Sequence, residues 1–219
     1  MAVRVKICGL RSRAEVDAAV LAGASYVGLV FFPPSPRHVS VADARWVLGA
    51  VPDGVVRVAL TVNASDEDLA HLVETLPIDM LQLHGRESPG RVADVRARFR
   101  LPVMKAVGVS GPADLDQIGV YGRVADQVLV DARPGPDASR PGGNGTAFDW
   151  RLLTRQGWTQ PWMLAGGLTP ENVGAAVRLT RAAQVDVSSG VESRPGYKDL
   201  GRIRDFVRAA QAEPEAVAG

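Results

Sequence analysis

The sequence predicts an α/β protein folded as a single (β/α)8 barrel of the TIM type. Three observations carry that expectation. Eight short apolar segments read as strands, and each is followed by a segment that reads as a helix. The alternation runs through a chain of 219 residues, a length that one such barrel fills. No linker-like break divides it, so 1–212 are assigned to one barrel domain and the small, charged residues 213–219 to a frayed tail. Closure requires the last strand to pair with the first. The alternative, an open doubly wound sheet of so many units, would be unusually wide.

The first strand, over 3–8, ends in the only cysteine of the chain and is followed by a turn at Gly9. Side chains alternate along a strand, so Lys6 and Cys8 share one face while Val5 and Ile7 share the other. Ser12 and Glu15 make a capping box for a helix that stops at Gly23, a C′ glycine. A strand over 26–32, a proline-rich loop over 33–39 and a helix capped by Ser40 and running to Ala50 come next. The pattern repeats as a strand over 56–63 and a helix opened by Ser65 and running to Leu76. A strand and turn over 79–85 precede a helix over 88–100, with Val92, Val95 and Phe99 on one face. A strand over 103–107 leads into a short helix over 113–118. The strand over 126–131 ends in a carboxylate, followed by a Gly- and Pro-rich loop over 132–145 and a helix over 148–155. The strand over 162–165 ends at Gly166 and Gly167, and Thr169 caps a helix with Pro170 at its first position. A last strand over 184–188 and a last helix over 199–212 complete the repeat.

Composition narrows the function classes. A net charge of +1 offers no field for nucleic acid or an anionic membrane. No apolar run approaches the roughly 20 residues that span a bilayer, and the chain enters a charged strand at once (Arg4, Lys6), so no secretory signal is read. A single cysteine cannot form an internal disulfide, which fits a reducing cytoplasm. No Cys/His cluster has zinc-ligand spacing, and no motif for a nicotinamide or flavin is present, so neither metal nor cofactor is expected.

In such a barrel the site lies at the carboxyl ends of the strands. There stand Cys8, Arg37, Asn63, Gln82, His84, Lys105, Asp131, Gly166, Gly167, Asp186 and Ser188. The central expectation is that Cys8 and Asp131 face each other across one pocket as base and acid. A free thiol with a pKa of about 8.5 is a poor base at neutral pH, and Lys6 would lower it. Three glycine-rich turns, 142–146, 165–169 and 188–191, are candidate anion sites, because glycine lets backbone amides approach a phosphate. Structural readings compete with several of these. A buried cysteine is often a small hydrophobe, and an aspartate at a strand end is often a helix cap. Lys105 reads as a barrel-interior lysine or a substrate contact. His84 reads as a pocket-lining or orienting residue, or as a structural histidine, whereas His38 and His71 read as surface. Trp46, Trp150, Trp158 and Trp162 read as packing, and Arg91, Arg96, Arg98 and Arg100 as a solvated face.

Taken together, the strand ends resemble the phosphoribosylanthranilate isomerase family of tryptophan biosynthesis. The matching pieces are Lys6-Ile7-Cys8-Gly9, Ser35-Pro36-Arg37, Leu81-Gln82-Leu83-His84-Gly85, Val130-Asp131, the 142–150 loop ending Phe148-Asp149-Trp150, Leu164-Ala165-Gly166-Gly167-Leu168, and Asp186-Val187-Ser188-Ser189-Gly190-Val191-Glu192. Pro195-Gly196 and Lys198-Asp199 extend the last piece. The resemblance implies an Amadori rearrangement of N-(5-phosphoribosyl)anthranilate to 1-(o-carboxyphenylamino)-1-deoxyribulose 5-phosphate, without cofactor or metal. It implies Asp131 as acid and Cys8 as base. It implies Arg37 at the anthranilate carboxylate, and Gln82 and His84 along the substrate. Asp186 would contact the substrate amine or hold Arg37. Gly143, Gly145, Gly166, Gly167, Ser188, Ser189 and Gly190 would hold the phosphate. The expected partner is a small phosphosugar; monomer and homodimer are both open. Two departures stand out. Thr61 replaces an aromatic residue, and Asn144 interrupts a usual Gly-Thr-Gly. A histidine-pathway isomerase would be expected to use a carboxylate at the end of the first strand, where Cys8 stands. A non-catalytic barrel that binds a phosphorylated ligand would have no reason to keep both proton-transfer groups.

Overall fold

The computed structural model describes residues 2–133, 148–154 and 156–212. Its strands are β1 (Arg4–Cys8), β2 (Tyr26–Phe31), β3 (Val56–Thr61), β4 (Met80–Leu83), β5 (Val103–Val109), β6 (Gln127–Ala132), β7 (Trp162–Leu164) and β8 (Gln184–Val187). All eight are parallel and form a closed barrel in sequence order. Closure comes from β8 returning to β1, with Arg4 opposite Gln184 and Lys6 opposite Asp186. The open-sheet alternative is therefore excluded.

The helices are α1 (Arg13–Ala22), α2 (Val41–Leu48), α3 (Asp66–Thr75), α4 (Pro89–Phe99), α5 (Leu115–Gly122), α6 (Val173–Thr180) and α7 (Leu200–Gln211). Local chemistry sets their starts. Ser12 and Ser65 complete capping boxes with Glu15 and Asp68, and Ser40, Ser88 and Asp199 accept first-turn amides through their side chains. The expected helix over 148–155 is instead a single 3-10 turn, Trp150–Leu153, capped by Asp149. The helix after β7 begins later than expected. Thr169 and Pro170 lie in a turn, and the Asn172 side chain accepts the Thr169 amide at 2.8 Å, so α6 starts at Val173. The α5 region also shifts: 112–114 form a 3-10 turn before the helix. A short hairpin not expected from the sequence, β9 (Glu192–Arg194) and β10 (Tyr197–Lys198), follows β8.

Two hydrophobic layers follow the alternation of the strands. Val5, Ile7, Val27, Leu29, Ala59, Leu81, Val128, Val130 and Val185 face the helices. Tyr26, Val58, Met80, Met104, Leu129, Met163 and Ala165 fill the barrel interior as its floor. No helix among the described residues is long and apolar enough to cross a membrane. The predicted tail, 213–219, lies outside the described residues.

Candidate active site

Above the apolar floor the inward-facing residues turn polar. Lys6, wholly buried, donates from Nζ to Asp186 Oδ1 at 2.9 Å across the β1–β8 seam. Cys8 stands one inward position higher, packed with Val30 and Leu60. Room for both comes from Gly28 on β2. A Cβ there would lie 3.1 Å from the Cys8 sulfur and 3.2 Å from Lys6 Nζ.

Lys6 and Cys8 share the inward face as expected, but the electrostatic outcome is not the expected one. Burial pushes the thiol above its ordinary value and Asp186 adds to this, outweighing the pull of Lys6 and Lys198. Burial opposes the charge on Lys6 too, yet Asp186 and the Cys8 sulfur overcome it and hold the ammonium above its ordinary value. Asp186 is thus committed to Lys6, while Arg37, the other partner foreseen for it, is held by Glu192.

Across the mouth, Asp131 is the next-to-last residue of β6, half-buried on the inward parity of Leu129. Its Oδ1 accepts the Ala132 amide at 2.8 Å, and its Oδ2 lies 3.4 Å from His84 Nε2. His84 Nδ1 is 3.0 Å from Gln82 Nε2. An amide N–H donated to Nδ1 leaves the ring proton on Nε2, toward Asp131. Gln82 is fully buried, so it orients the histidine from below. His84 therefore touches the carboxylate expected to be the acid.

Two of the glycine turns form one surface. Gly166 (φ 83°) packs so close to β6 that a Cβ would lie 2.6 Å from the Ala132 nitrogen. Gly190 leaves no room either, since a Cβ would lie 1.9 Å from the Leu168 carbonyl oxygen. The turn at Gly166 and Gly167 is thereby wedged between the end of β6 and Ser188-Ser189-Gly190. Ser188 donates through Oγ to the Cys8 carbonyl at 3.0 Å, tying this surface to the thiol strand. Gly143 and Gly145, with Asn144, lie outside the described residues.

Arg37 is buried, and its stem lies over Gly9, where a Cβ would come within 2.7 Å of Arg37 Cδ. Its Nε and Nη2 donate to the two carboxylate oxygens of Glu192 at 2.7 and 2.9 Å. Neither Glu192 nor its second partner, Lys198, was singled out from the sequence, although both fall inside the quoted motif.

The remaining candidates separate from the mouth. Lys105 is not in the barrel interior. It lies on the helix-facing side of β5 with Val103 and Val107, where Nζ donates to Leu83 O, Gly85 O and Glu87 Oε2. Asn63 (φ 50°) is a loop staple, its side chain accepting the Arg86 amide at 2.7 Å. His71 is exposed, whereas His38 is half-buried with Nδ1 enclosed. Trp158 and Trp162 stack on each other at 3.9 Å, and Trp46 is exposed beneath the Arg13 guanidinium. Arg91 and Arg98 both pair with Asp66, and Arg96 with Asp126, so the α4 arginines bridge elements rather than only face solvent.

The chain is similar to known proteins in both sequence and structure. The sequence profile described as N-(5'-phosphoribosyl)anthranilate (PRA) isomerase matches residues 5–209. The enzyme named N-(5'-phosphoribosyl)anthranilate isomerase from Cereibacter sphaeroides is 62% identical over 209 residues, covering 95% of this chain and 99% of its own. A crystal structure of phosphoribosyl anthranilate isomerase from Thermotoga maritima superposes with a TM-score of 0.86 at 36% identity, covering 95% of this chain and 98% of that one. A structure of such an isomerase in complex with reduced 1-(o-carboxyphenylamino)-1-deoxyribulose 5-phosphate gives a TM-score of 0.81 at 35% identity, with the same coverage.

Proposed function

The chain belongs to the N-(5'-phosphoribosyl)anthranilate isomerase family, and from that premise we propose how its own residues perform the reaction. The protein is an isomerase of tryptophan biosynthesis that converts an aminoaldose to an aminoketose. Asp131 gives its proton to the furanose ring oxygen. The C1–O bond breaks and the electron pair of the aryl nitrogen forms an iminium ion. The Cys8 thiolate then takes the proton on C2, and the electrons of that C–H bond neutralise the iminium as an enol. Protonation at C1, with loss of the proton on the C2 oxygen, gives the ketone. Each positioned proton transfer supplies roughly 10²- to 10⁴-fold.

The observation that supports this assignment is the inward placement of a thiol and a carboxylate, remote in sequence, at the carboxyl ends of β1 and β6 of one closed barrel. Because burial keeps the resting thiol protonated, the thiolate is the scarce form at neutral pH. The cationic iminium beside it stabilises the thiolate that forms when the thiol gives its proton to water at the barrel mouth. His84, held by Gln82, keeps the Asp131 carboxylate in place after it has given up its proton. Gly166, Gly167, Ser188, Ser189 and Gly190 cradle the phosphate through backbone amides. Arg37 faces the anthranilate carboxylate, for which a guanidinium is the matching donor.

Turnover of phosphoribosylanthranilate by the pure protein, followed by anthranilate fluorescence, tests the assignment. Cys8→Ala and Asp131→Asn are each expected to lower kcat by about 10²-fold or more with an unchanged circular dichroism spectrum. Near-wild-type turnover in either variant would overturn the role given to that residue.

A further inference from the structure

The hairpin after β8 packs against the loop that carries Arg37, and its contacts are specific. Gly196 (φ 83°) approaches Pro36 so closely that a Cβ would lie 2.4 Å from the Pro36 carbonyl oxygen. Arg11 Nη1 bridges the Pro36 and Gly196 carbonyls at 3.3 Å each. Within the hairpin, Glu192 stands opposite Lys198. All three donors of the buried Lys198 ammonium are placed: Ser188 O at 2.9 Å, Ser188 Oγ at 3.2 Å and Glu192 Oε1 at 2.8 Å. Both Glu192 oxygens then grip the Nε–Nη2 edge of Arg37. Burial would raise the Glu192 carboxyl, but Arg37 and Lys198 hold it below the usual range, so the clamp is charged. A guanidinium gripped along its Nε–Nη2 edge, with its stem pinned over Gly9, cannot rotate about its last bonds, so its plane is fixed relative to the β1 end that carries Cys8.

Resting on the reading that Arg37 receives the substrate carboxylate, we propose that Glu192 and Lys198 are positioning residues that aim Arg37, and thereby set the preference for an aryl amine bearing an ortho carboxylate. The same lysine fixes Ser188, so carboxylate end and phosphate end are registered against one buried ammonium. Neither residue touches the reacting atoms; both act through others.

The test compares two substrates, N-(5-phosphoribosyl)anthranilate and N-(5-phosphoribosyl)aniline, which lacks the carboxylate. Glu192→Gln keeps the shape of the clamp and removes its charge. It is expected to lower kcat/KM for the anthranilate substrate about tenfold, mainly through KM, and to leave the aniline substrate near its wild-type value. Arg37→Ala should collapse the same ratio, and the double variant should be no worse than Arg37→Ala alone. If Glu192→Gln lowers both substrates equally, or neither, while Arg37→Ala collapses the ratio, the clamp is structural and the inference fails alone. If Arg37→Ala leaves the ratio unchanged, the Arg37 reading fails and takes the clamp with it. Should Glu192→Gln not fold, Glu192→Asp, which keeps the charge and shortens the reach, is read by the same criteria. Failure of both to fold would make the contact structural and overturn the inference.

Discussion

Lys6 and Lys105 are both buried, and each sits 2.9 Å from a carboxylate oxygen, yet they occupy opposite sides of the barrel wall. Lys105 faces the helices. It has three oxygen acceptors, and its partner Glu87 also takes the Asn63 and Gly85 amides. Burial lowers its ammonium, and Glu87 only partly restores it. Lys6 faces the interior, with Asp186 on one side and a thiol on the other, and its ammonium is raised. Burial and ion-pair distance are therefore the same in two groups with different work. The difference lies in the remaining neighbours. A lysine whose donors end on backbone carbonyls and on Glu87 ties loops together, whereas one beside a titratable thiol opposes, without overcoming, the burial that keeps that thiol protonated.

The largest effect is expected at the interior pair. Lys6→Met leaves Asp186 unpaired and removes the cation beside Cys8, so the thiol rises further. Turnover should fall by about 10²-fold or more, and stability by about 3 kcal/mol or more, as for one partner of a buried pair. Turnover near wild type in a folded Lys6→Met protein would break the comparison on its functional side.

Lys105→Met should reverse the pattern. It strands Glu87, though the two backbone amides retain part of its solvation, so a loss of about 3 kcal/mol in urea unfolding is expected. Turnover per folded molecule should stay close to wild type. A collapse of kcat at full folding would place Lys105 in the site after all.

The same contrast has a pH signature. The folded Cys8 thiol titrates above its ordinary 9.0 and Lys6 above its ordinary 10.5, so the folded state holds these protons more tightly. Stability from both is complete below the ordinary values and is lost as pH rises through the raised ones. Lys105 has the opposite sign, since the folded state gives up its proton first and stability is gained on approaching 10.5. Between pH 9.0 and 10.5, Cys8→Ala should therefore lose less stability than wild type, and Lys105→Met more. Parallel curves of urea midpoint against pH for all three proteins would remove the electrostatic half of the comparison.

Much of this was legible in the sequence where the cause is local. The shared face of Lys6 and Cys8 follows from alternation, and the helix starts at Ser12 and Ser65 follow from capping boxes. What could not be read depends on tertiary placement. β5 is apolar on both parities, so the pattern did not say whether Lys105 turned in or out. The direction of the thiol shift needed its burial, which no residue within β1 determines. Arg37 and Glu192 meet across 155 positions, with no local signal for either partner. The 148–155 segment carries a valid cap at Asp149, but only one turn forms, and α6 begins only at Val173 because the Asn172 side chain accepts the Thr169 amide and holds 169–172 in a turn.

The smallest effect concerns the outer wall itself. Thr61 shares the helix-facing side of β3 with Ala59 and pairs in register with Leu83, whose carbonyl holds Lys105. Its hydroxyl is buried and has no hydrogen-bond partner among the described residues. Where Lys105 meets this wall with every donor placed, Thr61 meets it with a polar group unsatisfied, in the position where the resembled family has an aromatic side chain. Valine has nearly the same shape and no hydroxyl, so Thr61→Val should stabilise the fold by about 1 kcal/mol, the cost of an unmade buried hydrogen bond. Turnover should not change, because the residue points away from the mouth. A thermal midpoint unchanged or lowered in Thr61→Val would mean that the hydroxyl is satisfied in solution, and that the outer wall tolerates polar groups on easier terms than the two lysines imply.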